Sequence, residues 1–292
     1  MRVVVTGASG QVGAYLLDPL RKSSWTIVPW SGTSRGLWGD SPLVPVDLTD
    51  ERAIKSELAN ANPDVVLHLA AVSSAERVRR DPDRAKLVNV VATRHIAQWC
   101  AERGRRLVFA STDMVFDGER AWRAEDDEPR PILAYGETKR AAELEALAAP
   151  NTVVARVCLL YGPTRCGRAT FFDRSIADLR AGKPQTFFDD EHRTPLDFQT
   201  VANVLVALVR SDTRGILHVG GRERLSRFEL MSRTARTLGL DAALVQANSR
   251  ADTVFDEPRP ADLSLDTRRL AGLLPEIERP TVEEAIRRMY MG

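Results

Sequence analysis

Tyr135 and Lys139 are the pair whose types and spacing most directly suggest chemistry, since they stand four residues apart. In a helix this spacing places both side chains on one face, one turn apart. A phenol loses its proton near pH 10, and a neighbouring ammonium favours the phenolate, so we expect Lys139 to lower the pKa of Tyr135. A tyrosine so placed can exchange a proton with a substrate oxygen. Taken alone, the pair is equally consistent with a helix surface that has no chemistry.

Three glycines spaced by three, Gly7, Gly10 and Gly13, follow an apolar run at the start of the chain. Gly7 permits a tight turn, Gly10 lets the backbone approach a pyrophosphate, and Gly13 allows a helix to pack closely on the strand. The first N–H groups of that helix then face the phosphates. The pattern, with Gln11 and Val12 inside it, predicts a dinucleotide site. An ordinary strand–turn–helix is the alternative.

A third signal is the hydroxyl pair Ser111 and Thr112, which ends an apolar run. In an open parallel sheet, ligands gather at the carboxyl ends of the strands, so Thr112 is placed to bind a substrate oxygen. Turn chemistry and helix capping are the alternative for both residues.

The elements that must position these residues alternate in the first half of the chain. Apolar runs predict buried strands, and amphipathic segments between them predict helices. The predicted strands cover 2–6, 25–30, 43–46, 64–70, 106–111 and 152–158, and the helices lie near 11–22, 50–60, 82–103 and 133–149. This order implies an α/β fold, a Rossmann-type doubly wound parallel sheet with helices on both faces.

After residue 160 the alternation ends, which indicates a small C-terminal substrate-binding lobe. We assign residues 1–160 to a dinucleotide-binding domain, with 196–221 returning to it, and residues 161–195 and 222–292 to the lobe. Residues 222–250 and 281–291 are expected to be mostly helical. The long polar turn 113–131 is expected to be a flap over the active site.

These motifs, in this order, resemble the extended short-chain dehydrogenase/reductase family, and within it the dTDP-4-dehydrorhamnose reductase branch. The resemblance covers nearly the whole chain. Its other carriers are the stretches 64–71, 87–90, 111–118, 156–163 and 259–267. It implies a reductase that uses NAD(P)H on a nucleotide-linked 4-keto-deoxysugar. Met114 and Leu159 stand where the branch usually has Tyr and Trp, which leaves the sugar open.

The resemblance also implies roles for single residues. Tyr135 matches the acid that protonates the substrate carbonyl oxygen, Thr112 a hydrogen-bond donor to it, and Lys139 a ligand of the nicotinamide ribose. Further cofactor contacts are implied at Asp47, Leu48, Leu69, Ala70 and Ala71, and substrate contacts at Asp113, Arg193 and Arg259. The alternatives are helix or turn capping for the two aspartates and solvent exposure for the two arginines.

The end of the second predicted strand bears on the choice of cofactor. A carboxylate there would bind the ribose hydroxyls of NAD, but small hydroxyl residues and Arg35 occupy the region. An arginine suits a 2′-phosphate. The sequence therefore favours NADP over NAD.

Composition limits the remaining classes of function. The net charge of +1 suggests no nucleic-acid or membrane-surface partner. Cys100, Cys158 and Cys166 are odd in number and fit no zinc motif, which favours a reduced cytoplasmic protein. The four histidines are scattered, so we expect no metal site.

Two functions besides the reductase stay open: a nucleotide-sugar epimerase or dehydratase of the same fold, and a non-catalytic NADP-binding regulatory subunit.

The resemblance also implies that helices near 82–103 and 133–149 can pair with a second copy. The apolar residues Ala141, Ala142, Leu144, Leu147 and Ala148 on the second helix lead us to expect a homodimer. Packing of these residues on the protein's own sheet is the alternative.

Overall fold

The computed structural model describes residues 1–255 and 257–291. The strands are β1 (Arg2–Thr6), β2 (Thr26–Ser31), β3 (Leu37–Trp38), β4 (Ser41–Pro42), β5 (Val44–Pro45), β6 (Val65–His68), β7 (Arg106–Thr112), β8 (Thr152–Val157), β9 (Leu160–Tyr161), β10 (Gln185–Phe188), β11 (His192–Arg193), β12 (Leu196–Asp197), β13 (Gly215–Val219), β14 (Leu225–Ser226) and β15 (Val245–Asn248). Seven of them form a central parallel sheet in the order β13-β8-β7-β6-β1-β2-β5. The helices are α1 (Gln11–Tyr15), α2 (Leu17–Arg21), α3 (Glu51–Ala61), α4 (Ala75–Arg80), α5 (Pro82–Lys86), α6 (Ala92–Glu102), α7 (Ala134–Leu147), α8 (Phe171–Arg180), α9 (Phe198–Arg210), α10 (Arg227–Thr237), α11 (Arg268–Leu273) and α12 (Val282–Tyr290). The Rossmann-type prediction is confirmed.

The central strands are apolar because both faces of the sheet are covered. In β1, Val3 and Val5 belong to one buried cluster and Val4 to the other. The first cluster is completed by α9, whose apolar residues Val201 and Leu205 are fully buried. The second is completed by α3, α6 and α7. Side chains that alternate along each strand therefore anchor two helix layers.

The lobe has a core of its own, formed by α8, α10 and α12 around residues such as Phe172, Leu230 and Ile286. Each of these helices begins with a reciprocal capping box, in which the N-cap hydroxyl and an acidic side chain three residues later satisfy each other's backbone N–H groups. The sequence prediction of mostly helix over 222–250 is wrong beyond Thr237, because Val245–Asn248 forms a strand parallel to β10. That pairing joins segments 60 residues apart and leaves no local pattern.

The predicted helix near 82–103 is interrupted by a π-helical turn at Leu87–Val91. Asn89 lies in this turn, accepts a hydrogen bond from Val72 N at 2.8 Å and donates to Val72 O and Thr138 Oγ1 at 3.1 and 3.0 Å. The wider turn thus allows one amide to connect the loop after β6 with α7.

The segment 113–131, which the sequence predicts to be a flap over the active site, contacts the lobe. Trp122 N and Arg123 N donate to the side chain and the carbonyl of Ser264 at 2.8 and 3.0 Å, so the segment is fastened to the lobe. Gly118 has φ +83°, and a Cβ there would stand 2.4 Å from Pro260. Only glycine fits that contact.

In the described part of the chain, no helix is both long and apolar enough to cross a bilayer.

Candidate active site

A groove of about 1340 Å³ runs along the carboxyl ends of the central strands. Most of the cofactor, substrate and catalytic residues predicted from the sequence line this groove. They are Gly7, Gly10, Gln11, Val12, Gly13, Asp47, Leu48, Leu69, Ala70, Ala71, Thr112, Tyr135 and Lys139. Four predicted residues are not among those that line it: Arg35, Asp113, Arg193 and Arg259.

The glycine turn can be built only from glycine at two positions. Gly7 has φ +70°, and a Cβ there would meet Ala70 N at 2.9 Å. A Cβ on Gly13 would meet the carbonyl oxygen of Ala8 at 2.3 Å, so α1 packs directly against the turn. The turn therefore keeps its backbone at the surface of the groove, where a large ligand can approach it.

The neighbouring turn after β6 is held by Thr6 and His68. Thr6 Oγ1 accepts hydrogen bonds from Leu69 N and Ala70 N, both at 3.1 Å, and lies 2.7 Å from His68 Nδ1. Burial, assisted by the positive charge of Lys139, lowers the pKa of His68 to about 3. A neutral imidazole is thus part of the scaffold beneath the groove.

Lys139 is fixed at the end of β7. Its Nζ donates to Ala110 O at 2.7 Å and stands 4.0 Å from the centre of the Phe109 ring. Its burial lowers its pKa to about 7, against the opposing effect of the Glu143 carboxylate. The ammonium and the neutral amine are therefore both accessible near neutral pH.

Tyr135 lies one turn before Lys139 on α7 and is half-buried. Burial and the negative charge of Asp113 raise the pKa of its phenol. The expectation that Lys139 lowers this pKa is wrong for the structure, because the ammonium is directed to the Ala110 carbonyl and desolvation dominates. Tyr135 is consequently a protonated acid at neutral pH.

The start of α7 approaches the turn after β7 unusually closely. A Cβ on Gly136 would stand 2.1 Å from Met114 O, so glycine is required for this contact. Thr112 Oγ1 accepts from Met114 N at 3.3 Å and lies 3.2 Å from Asp113 Oδ1. Thr112 therefore caps the turn, as the alternative proposed, and also lines the groove.

Asp113 and the predicted substrate arginines form ion pairs of their own. Asp113 is 2% exposed, and its Oδ2 lies 3.5 Å from Arg193 Nε. Burial raises the pKa of the Asp113 carboxyl, and Arg193 opposes that shift. Arg259 forms a bidentate ion pair with Glu191: its Nε donates to Oε1, and its Nη2 donates to Oε2 at 2.8 Å. These arginines would have to exchange a carboxylate for a phosphate in order to bind substrate.

A buried ion pair that the sequence analysis missed lies beneath the groove. Glu143 and Arg156 have no exposed side-chain surface and form a bidentate pair, both contacts at 2.9 Å. Ser111 Oγ donates to Glu143 Oε1 at 2.6 Å. Glu143 follows Lys139 by four residues, a spacing that marked it as a neighbour on the helix face. The ion pair connects α7 to β8, and the hydrogen bond from Ser111 connects the same carboxylate to β7.

Arginines on the outer wall of the groove were also missed. Arg77, Arg80 and Arg84 come from α4 and α5, and Arg168 and Arg174 come from the lobe. The arginine-rich stretch 77–84, directly after the predicted cofactor turn, was the available signal. Arg35, by contrast, is exposed.

In residues 1–255 and 257–291 there is no group of three or more His, Cys, Asp or Glu side chains that could hold a metal ion.

Comparison with known proteins gives consistent matches over nearly the full length. The family model described as RmlD substrate binding domain matches residues 1–291. A dTDP-4-dehydrorhamnose reductase of Mycolicibacterium smegmatis is 30% identical over 94% of this chain and 81% of its own length. The methionine adenosyltransferase 2 subunit beta of Xenopus laevis is 28% identical over 92% of this chain and 81% of its own.

Among solved structures, a dTDP-4-dehydrorhamnose reductase of Bacillus anthracis in complex with NADP superposes with a TM-score of 0.87. The match covers 99% of this chain and 98% of the other, at 23% identity. At that identity the likeness establishes the shared fold.

Proposed function

Because this chain belongs to the RmlD substrate binding domain family, we propose that its groove is the active site of an NADPH-dependent reductase of a nucleotide-linked 4-keto-deoxysugar. The observation that carries the proposal is that Thr112, Tyr135 and Lys139 line the same groove as the glycine turn. A reductase needs its acid beside its nucleotide, and this arrangement supplies both.

The residues present fit a dinucleotide. The glycine turn has no space for a Cβ at Gly7 or Gly13, and it exposes backbone to the groove. NADPH, when bound, supplies the hydride that reduces the keto carbon. Tyr135 then donates its proton to the carbonyl oxygen, where negative charge develops. Thr112 donates a hydrogen bond to that oxygen, and Lys139 holds the nicotinamide ribose.

The raised pKa of Tyr135 suits this direction of reaction. A phenol that is protonated at neutral pH can give its proton to an alkoxide, which is a much stronger base. We propose further that the lobe formed by residues 161–195 and 222–292 binds the sugar nucleotide, with Asp113, Arg193 and Arg259 as contacts. In that case Arg193 and Arg259 leave their carboxylate partners for the substrate diphosphate.

Preference for the phosphorylated cofactor is supported at the end of β2. Ser31 and Gly32 line the groove there, where a carboxylate would favour NAD. Asp47 also lines it, but its carboxylate is engaged by Thr49 N and Oγ1 at 2.9 and 2.8 Å. These two hydrogen bonds lower the pKa of Asp47. Arg77, Arg80 and Arg84 of α4 and α5 also line the groove and add positive charge.

We expect NADPH to bind more tightly than NADH. Quenching of protein fluorescence or enhancement of cofactor fluorescence on titration measures both dissociation constants. Arg35→Ala should weaken only the NADPH complex if Arg35 binds the 2′-phosphate, and Arg84→Ala tests the arginines of α4 and α5 in the same way. Tighter binding of NADH would overturn the assignment.

Cofactor affinity should also depend on pH through Lys139. Below a pH of about 7 the side chain is an ammonium, and above it the charge is lost, because burial has lowered the pKa from its usual value near 10.4. We therefore expect kcat/KM for NADPH, which reports the free enzyme, to fall as the pH rises through that value. Lys139→Met should remove this pH dependence of kcat/KM, while any pH dependence that arises from ionisation of the cofactor phosphate should remain. A profile that stays flat across neutral pH in the wild type contradicts the assignment.

A regulatory subunit is the second candidate, favoured by the likeness to the Xenopus subunit. It predicts NADP binding with no turnover of any nucleotide-linked keto sugar. An epimerase or dehydratase would regenerate its cofactor within each turnover. Stoichiometric oxidation of NADPH by a dTDP-4-keto-6-deoxysugar distinguishes the reductase from both.

We propose that the protein forms a homodimer through α6 and α7. Ala142 and Ala146 of α7 are fully buried against the protein's own sheet, but Leu144 is 58% exposed. An exposed leucine on this helix is suited to contact with a second copy. Light scattering at micromolar concentration should give twice the chain mass of 32.4 kDa. A mass near one chain, or a dimer unaffected by Leu144→Glu, would contradict the proposed interface.

We also propose a cytoplasmic location. Cys100 and Cys158 are buried free thiols and Cys166 is a half-buried one. Free thiols suit a reducing compartment.

A further inference from the structure

A loop of the lobe, residues 163–169 between β9 and α8, reaches across to the glycine turn. Gln11 connects the two. Its Nε2 donates to Pro163 O at 2.9 Å, and its Oε1 lies 3.0 Å from Thr164 Oγ1 and accepts from Arg165 N at 3.2 Å. The carboxamide of Gln11 is thus committed to the loop, and only its backbone remains for a ligand in the groove.

The loop is also fixed from its other side. Tyr15 Oη donates to Pro163 O at 2.7 Å, and Thr164 N donates to Asp173 Oδ1 at 2.8 Å. Thr164 Oγ1 lies 2.9 Å from Arg168 O. With both ends anchored, the position of Arg168 is defined by the loop.

Arg168 lies against the glycine turn. Its Nη2 donates to Ser9 O at 3.2 Å, and Ser9 stands between Gly7 and Gly10. The side chain lines the groove. Within the described part of the chain, no carboxylate lies within ion-pair distance of it. The guanidinium also interacts with Cys166 and lowers the pKa of its thiol, against the opposing effect of burial. Its positive charge therefore lies at the groove without a carboxylate partner among the described residues.

A second arginine of the loop is disposed differently. Arg165 Nη1 pairs with Asp18 Oδ2 at 2.6 Å, and its guanidinium stacks 4.1 Å from the centre of the Tyr15 ring. Arg165 is thus neutralised on the outer side of α1. Arg168, unlike Arg165, therefore places its positive charge at the glycine turn.

We propose that Arg168 binds the pyrophosphate of the dinucleotide, so that the substrate-binding lobe supplies a ligand to the cofactor. This inference rests on the proposed cofactor role of the groove. The glycine turn offers only backbone N–H groups, whereas a pyrophosphate carries two negative charges. A guanidinium adds charge-assisted hydrogen bonds in the planar geometry that phosphate oxygens accept. The nucleotide sugar also carries a diphosphate. Arg168, however, is hydrogen-bonded to Ser9, in the glycine turn after β1, whereas the substrate-binding hydroxyl proposed for Thr112 lies at the end of β7. This position favours the cofactor over the substrate as the ligand of Arg168.

The test is titration of Arg168→Ala at constant ionic strength with four probes: NADPH, NADH, 2′-AMP and dTDP. Loss of a charged hydrogen-bond donor should raise the dissociation constants for NADPH and NADH by the same factor, about 10- to 100-fold. Affinity for 2′-AMP, which has no pyrophosphate, and for dTDP should stay within about twofold. Arg168→Lys should recover part of the loss, because it restores the charge without the fork.

Arg165→Ala is the matched control from the same loop and should leave all four affinities unchanged. A loss for NADPH alone would assign Arg168 to the 2′-phosphate, and a loss for dTDP alone would assign it to the substrate; either result overturns the inference. Equal cofactor affinity in wild type and Arg168→Ala overturns it as well. Failure of the wild type to bind either nicotinamide cofactor would instead refute the proposed function.

Discussion

Tyr135→Phe should lower turnover by a factor on the order of 10²–10⁴ while leaving cofactor affinity nearly unchanged. The substitution removes one hydroxyl from a half-buried side chain and leaves the ring in place. Without that hydroxyl, the oxygen that becomes negatively charged during hydride transfer has no proton donor at the start of α7. The effect should fall on kcat, since the interaction develops only in the transition state.

Single-turnover oxidation of bound NADPH, followed by its absorbance, measures this effect directly. Tyr290→Phe is a suitable control, because Tyr290 is also half-buried but lies on α12 of the lobe and is not among the residues that line the groove. Turnover of Tyr135→Phe within a few-fold of the wild type would remove Tyr135 from the mechanism.

The second large effect is expected on stability. Arg156→Met should lower the free energy of unfolding by about 3–5 kcal/mol, because the fully buried Glu143 carboxylate loses its bidentate partner and keeps one cation, Arg140, whose Nη1 lies 3.4 Å from Oε2. Glu143 has no exposed side-chain surface, so water cannot replace the lost partner. The damage lies close to the active site, since Ser111 donates to the same carboxylate and precedes Thr112.

Urea unfolding measures this difference. The double variant Glu143→Leu, Arg156→Met should recover much of the loss, because it removes both charges at once. Arg94→Ala provides a comparison at the surface of the same helix, since Arg94 of α6 forms an ion pair with Glu145 of α7 at 2.7 Å, with side chains 45% and 26% exposed. Such surface pairs contribute at most about 1 kcal/mol. Equal losses for Arg156→Met and Arg94→Ala would show that burial of the pair is unimportant.

Features that depend on neighbours along the chain could be predicted from the sequence. Runs such as Val3–Val5 are apolar because parallel strands are covered on both faces, and this pattern is local. The glycine spacing determines the turn between β1 and α1 in the same way, since Gly7 adopts the positive φ of the turn and Gly13 meets the carbonyl oxygen of Ala8 within it. The four-residue spacing of Tyr135 and Lys139 is a property of any helix.

What each charged side chain faces depends on contacts between distant segments. Arg35, predicted to contact the cofactor, is exposed and is not among the residues that line the groove. Arg168, from a loop more than 150 residues beyond the glycine turn, lies against that turn. Arg193 and Arg259 match substrate-contacting positions of the family in sequence. In the structure each pairs with a carboxylate from a distant segment of the chain. The direction of the Tyr135 pKa shift was likewise wrong from sequence. Burial and the partners of Lys139 decide that shift, and both arise only when strands, helices and lobe pack together.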